Sequence, residues 1–212
     1  TPEQMERKTR TENWLAERGV KVNKHLPPVS SSAEVNLRST AEVIDRAYAL
    51  LIIAVKGEGI EQEHLERTIK DKNIHSFSPR EQLIYPAEVL SEEDRTYATW
   101  RYESLYLILW ALGQLEELTY PSNICDVPAV VQSILKPDRT IFTTSAQLRS
   151  KEEILEVLDQ SYRMHWACVK ARIKGEAIGG DLNPSVIYER HYALNWLTQH
   201  EGRDWDEVRT NT

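Results

Sequence analysis

Two segments of this chain set an arginine where a helix keeps its apolar residues: Asp45-Arg46-Ala47-Tyr48-Ala49-Leu50 and Glu189-Arg190-His191-Tyr192-Ala193-Leu194. Each reads acid, arginine, any residue, tyrosine, alanine, leucine. On a helical wheel Arg46 has Val43 one turn before it, with Ala49, Leu50 and Ile53 after it. Arg190 has Val186 and Ile187 before it, with Ala193, Leu194 and Leu197 after it. A third charge, Glu103, falls among Trp100, Tyr106, Leu107 and Trp110. Arginine does not escape burial by losing its proton. A carboxylate opposite its fork is the least costly partner. The wheels therefore predict that Glu103 pairs with Arg46, Arg190 or both.

Such a cluster can do two things. It can be an ion network that fixes helix register, or a pocket whose charges hold an anion or move protons. For proton transfer the candidates are Glu103, Glu189 and His191, the histidine being flanked by two charges. For ligand contact they are Arg46, Arg101, Arg190, Tyr188, Asn195 and Trp196. Glu103 and Glu189 have the residue types of a glycosidase pair, with no separation fixed by the sequence. A metal is not expected. Glu103, Glu189, His165 and His191 would have to converge from three helices, and no helix carries the Glu-x-x-His pair of di-iron bundles. No cofactor is expected, because phosphate-binding glycine loops, zinc-protease and serine-hydrolase signatures are all missing.

The elements that must carry these residues read as one helix after another. Glu3 to Arg18 is periodic and stops at Gly19, and Lys21 to Ala33 is an extended loop. Ser39-x-x-Glu42 and Ser150-x-x-Glu153 are capping boxes opening helices to about Lys56 and Lys174. Glu61 to Lys72 is a charged helix, and Ser78-Pro79-Arg80-Glu81 starts another. Ser91 to Leu118 is the longest candidate, apolar all round from Leu105 to Leu112 and hence central. Asp126 opens a short helix to about Leu135, and Asn183-Pro184 caps one running to Gln199. Asp204 caps a last turn holding Trp205, and Thr140 to Thr144 reads as a possible short strand. The sum is roughly 60% helix, against the usual 30–35%. The fold class is all-α: a helical bundle around a central buried helix, with long irregular loops and at most one strand pair. Residues 1–36 should form a helix and loop packed on a helical domain of residues 37–212, one domain overall. Leu37-Arg38-Ser39 and Leu148-Arg149-Ser150 form a faint repeat at the two capping boxes.

Composition narrows the partners. The 212 residues carry a net charge of −7 with acids and bases interspersed, so nucleic acid is not expected. The longest apolar runs, Ala49 to Val55 and Leu105 to Leu112, fall short of the ~18 residues that span a bilayer. The opening Thr1-Pro2-Glu3-Gln4 does not read as a signal peptide, and a cytoplasmic location is the expectation. Cys125 and Cys168 read as reduced, packed thiols. Cys125 stays a minor nucleophile candidate because a helix start follows it.

Several motifs carry a resemblance. They are Trp100-Arg101-Tyr102-Glu103, Leu109-Trp110-Ala111-Leu112-Gly113, Tyr120-Pro121, Ile124-Cys125-Asp126-Val127, Leu148-Arg149-Ser150, Tyr188-Glu189-Arg190-His191, Ala193-Leu194-Asn195-Trp196-Leu197 and Asp204-Trp205-Asp206. With them the chain, from about Arg7 to Thr212, resembles the bacterial domain-of-unknown-function family numbered four-two-seven-two. The resemblance implies a mostly helical, soluble bacterial domain with no assigned activity. The expected role is a non-enzymatic interaction or binding domain, with an unknown protein or a small anion as partner. The alternatives are a hydrolase or lyase using Glu103 or Glu189 with His191, and a small-anion sensor.

Overall fold

The computed structural model describes all 212 residues. It contains nine α-helices and no strand: α1 (Pro2–Glu17), α2 (Thr40–Gly57), α3 (Gln62–Asp71), α4 (Pro79–Ile84), α5 (Glu92–Ala111), α6 (Val127–Leu135), α7 (Arg139–Ser145), α8 (Lys151–Lys174) and α9 (Pro184–Leu197). Two short 3-10 turns, His200–Gly202 and Trp205–Glu207, follow. Local chemistry sets the starts. Thr1, Ser39, Ser78 and Ser150 close capping boxes with Gln4, Glu42, Glu81 and Glu153. Asn183 caps α9, with Pro184 in the first turn where no amide hydrogen is needed.

Five helices pack side by side in the order α2, α5, α9, α8, α1. The central place belongs to α5, which lies between α2 and α9 and is covered by α6. Every residue from Leu105 to Leu112 is buried, as an all-round apolar run requires. The α2 end of the row closes tightly at Gly57, where a Cβ would sit 2.8 Å from the Ala98 Cβ. At the other end Leu15, Val20, Met164, Cys168 and Ile187 form a separate apolar cluster joining α1 to α8 and α9. The loop after α1 is tied back by polar bonds: Lys8 Nζ donates to the Lys24 and Leu26 carbonyls, and Arg7 to that of Ser30.

Two expectations need correction. The long helix ends at Ala111 rather than Leu118. Gly113, at φ +71°, turns the chain left-handed there, and the Gln114 amide closes on the Leu109 carbonyl. Leu115 and Leu118 prolong the apolar pattern beyond that stop, and they pack on the core from a loop. Thr140 to Thr144 is helical, not extended. The stretch has no strand to pair with, and one turn of helix puts Phe142 edge-on against Tyr48, 5.4 Å between centroids.

Candidate functional site

Burial of a guanidinium is the recurring problem of this core. Arg7, Arg46, Arg101, Arg163 and Arg190 are all buried. Four have an acid at hand. Arg7 pairs with Glu3, and Arg46 with the fully buried Glu81. Arg101 meets Glu189 at 2.6 Å, and the other Glu189 oxygen accepts from Ser104 Oγ at 2.9 Å. Arg163 grips Asp159 with two bonds, Nε to Oδ2 at 2.9 Å and Nη2 to Oδ1 at 3.0 Å, with Glu12 at 3.5 Å. Arg190 is the exception. It is 3% exposed, donates only from Nη1 to the Thr119 carbonyl at 2.6 Å, and has no acid within 4.0 Å. Its Nε and Nη2 have no partner.

The predicted pairing of Glu103 with Arg46 or Arg190 is therefore not made. Arg46 is satisfied from α4, whose capping-box acid also accepts from the Ser78 amide at 2.8 Å. Glu103, 2% exposed, takes a bond from the Cys125 amide at 2.6 Å on one oxygen, and the other oxygen has no partner. Burial lifts the Glu103 carboxyl above the usual range. The bonds from Cys125 and the field of Arg190 oppose that rise. Burial and the neighbouring Glu103 push the Cys125 thiol upward too, which removes it as a nucleophile near neutral pH. Cys168, also free and buried, is pushed up to about 11. Because no arginine contacts Glu103 and Gln keeps an acceptor for the Cys125 amide, Glu103→Gln should change unfolding free energy by no more than about 1 kcal/mol in urea titrations.

Thr119 and Cys125 bond Arg190 and Glu103 on one side. On the other they line a cleft of about 550 Å³ whose wall also includes Tyr106 and Tyr120. Its rim carries the exposed acids Glu116, Glu117 and Asp126. The loop from Gly113 to Asp126 thus lies between this cleft and the one buried guanidinium with no acid in contact.

The other sequence candidates lie elsewhere in the row. Tyr188 and Glu189, with Trp100, line two neighbouring clefts on the α5–α9 face, and Arg101 lines one of them. Burial raises the Glu189 carboxyl while Arg101 and Ser104 hold it down. Asn195 donates to the Arg209 carbonyl at 2.7 Å, and Trp196 packs edge-on to Trp205, 5.7 Å between centroids. Arg46 lies over the Trp205 ring at 4.9 Å. These three residues strap the C-terminal segment to the core. The two repeated hexamers are not equivalent in space: Asp45 pairs with Arg139 near the surface, whereas Glu189 is interior.

His191 does not sit beside an acid. Its Nδ1 faces that of His165 at 2.9 Å. Burial pushes His191 down to about 3, with His165 and His200 adding to the effect, and burial lowers His165 as well. Both rings are neutral in the fold, whereas the unfolded chain protonates them near 6.5. Below that pH the unfolded state takes up protons that the native state refuses, so stability falls as pH drops below about 6.5, for His191 down to about 3. His191 contributes a slope of up to about 1.4 kcal/mol per pH unit, and the lowered His165 acts in the same direction. Urea titrations from pH 7 to 4.5 should show this slope, and His191→Asn should flatten it.

Glu81, Asp159 and Arg163 were missed as members of the polar core. The Ser78-x-x-Glu81 spacing matches a capping box, but nothing in it marks Glu81 as the partner of Arg46. The Asp159-x-x-x-Arg163 spacing was a usable signal, since residues four apart share a helix face.

No helix is long and apolar enough to cross a membrane. Residues 7–208 match the model of a family described as Domain of unknown function (DUF4272). Neither the curated proteins nor the solved structures give a match.

Proposed function

For a chain that belongs to the DUF4272 family, we propose a binding domain whose ligand is a small monocarboxylate held by Arg190. One observation carries this reading: Arg190 alone among the buried arginines has no acid, and the two donors it leaves free are Nε and Nη2. Those two N–H groups lie parallel along one edge of the guanidinium and match a carboxylate bidentately. Arg163 uses the same edge on Asp159. Arg190 leaves that edge without a partner, and the ligand would take it once the loop from Gly113 to Asp126 gives way. Burial lifts the Glu103 carboxyl above the usual range, which weakens its opposition to an anion at Arg190. One positive charge calls for one negative charge. The acidic rim of the neighbouring cleft works against phosphate, which carries more. Hydrolysis or lyase chemistry through Glu189 and His191 has less support. Both Glu189 oxygens are engaged, and the His191 Nδ1 is taken by His165.

The test is thermal unfolding across concentrations of acetate, formate and phosphate at constant ionic strength. A monocarboxylate at a hundred times its dissociation constant should add about 2.7 kcal/mol. For a domain of this size that is a rise in Tm of roughly 5–11 °C. Phosphate should do less. Equal shifts with all three, or none, would remove the proposal.

A further inference from the structure

The imidazoles of His165 on α8 and His191 on α9 touch through Nδ1 at 2.9 Å. They belong to different clefts. His165 lines one of about 530 Å³ with Trp100, Cys168, Arg172 and Tyr188. His191 lines another of about 450 Å³ with Tyr162, Asn195, Gln199 and His200. The two clefts share no lining residue. Each ring is wedged by aromatic neighbours: Tyr188 stands edge-on to His165 at 5.7 Å, and Tyr162 lies 5.9 Å from His191. The pair is the only direct polar contact between the two clefts' linings.

We propose that His165 and His191 form a tautomeric relay that couples the two clefts. A neutral imidazole carries one proton on two nitrogens. A hydrogen bond between two Nδ1 atoms needs the proton on one and the lone pair on the other. The two Nε2 atoms, the ones each ring can offer its own cleft, must then be opposite in kind. When His165 presents Nε2–H to its cleft, its bare Nδ1 accepts from His191, and His191 presents a bare Nε2. In the reverse state His165 presents a bare Nε2 and His191 presents Nε2–H. Passage between the states moves three protons one step each. One leaves His165 Nε2 to its cleft, the shared proton crosses from His191 Nδ1 to His165 Nδ1, and one enters at His191 Nε2. No net charge accumulates, which suits two desolvated rings that resist ionisation. A hydrogen-bond donor in the His165 cleft thereby makes the other cleft a donor toward its own ligand, and an acceptor does the reverse.

The experiment is long-range ¹H–¹⁵N NMR of the intact protein labelled with ¹⁵N-histidine at pH 7. His165 and His191 should be neutral, of opposite tautomer, and joined by a ¹⁵N–¹⁵N coupling across the hydrogen bond. His165→Asn keeps a polar partner but can turn either its oxygen or its nitrogen toward His191. It should release the lock, so that the His191 ring nitrogens shift toward a mixture of tautomers. Identical tautomers, a cationic ring at pH 7, or no coupling in the wild-type protein would overturn the relay. So would His191 ring shifts unchanged in a folded His165→Asn. If that variant does not fold, the wild-type measurement decides alone.

Discussion

Glu81→Ala should be among the most damaging single substitutions in this protein, costing about 3–5 kcal/mol. Glu81 is fully buried and is the acid partner of Arg46, itself buried. Its removal leaves a guanidinium in the core with no counter-charge and no way to shed its proton. It also opens the capping box of α4, where Glu81 accepts from the Ser78 amide, and the lost cap makes up about 1 kcal/mol of that cost. At roughly 2–4 °C per kcal/mol, Tm should fall by about 6–20 °C. Glu81→Gln keeps an oxygen for Ser78 and for Arg46 and should lose clearly less. Both variants leave Arg46 without a counter-charge, so equal losses would assign the whole cost to the stranded charge, and a smaller loss for Gln assigns the difference to the cavity and the lost hydrogen bonds.

Glu189→Ala should cost a similar 3–5 kcal/mol, for a related reason in the opposite half of the row. Arg101 on α5 and Glu189 on α9 meet at 2.6 Å, and Ser104 fills the second oxygen. This contact crosses the α5–α9 interface, so its loss removes polar register from the helix pair as well as charge balance. Arg101 still lies over the Tyr97 ring at 4.2 Å, a contact that recovers only part of the loss. The double variant Glu189→Leu with Arg101→Met should recover most of the stability, because a buried pair replaced whole by apolar residues is often neutral or better. Urea midpoints of the two variants measure this directly.

The helix starts were legible because serine, asparagine and proline act within one turn of themselves. The capping boxes at Ser39 and Ser150 form as read, and the helix start at Ser78 closes a third box with Glu81. So was the burial of Arg46, Arg190 and Glu103, since a wheel reports which face a residue occupies. What the wheel does not carry is the partner across space. Arg46 finds its acid 35 residues later, on a helix of six residues whose start was read from Ser78 and Pro79 alone. Arg190 finds a carbonyl in a loop, a group that every residue has and no sequence pattern marks. The end of α5 was obscured because Leu115 and Leu118 keep the helical period after Gly113 has broken the helix. His165 and His191 were each visible, but their meeting depends on the packing of α8 against α9.

The most direct measurement is the unfolding free energy of Arg190→Met, with and without acetate. If Arg190 is a buried charge that waits for its counter-ion, removing it in acetate-free buffer should leave the protein at least as stable as wild type. The gain could reach about 1–4 kcal/mol, the range seen when buried ions give way to apolar residues. The acetate response should vanish with it. A loss of 3 kcal/mol or more, or an acetate response equal to that of wild type, would contradict the account: the guanidinium would then be a strut with an internal partner, not a ligand's seat.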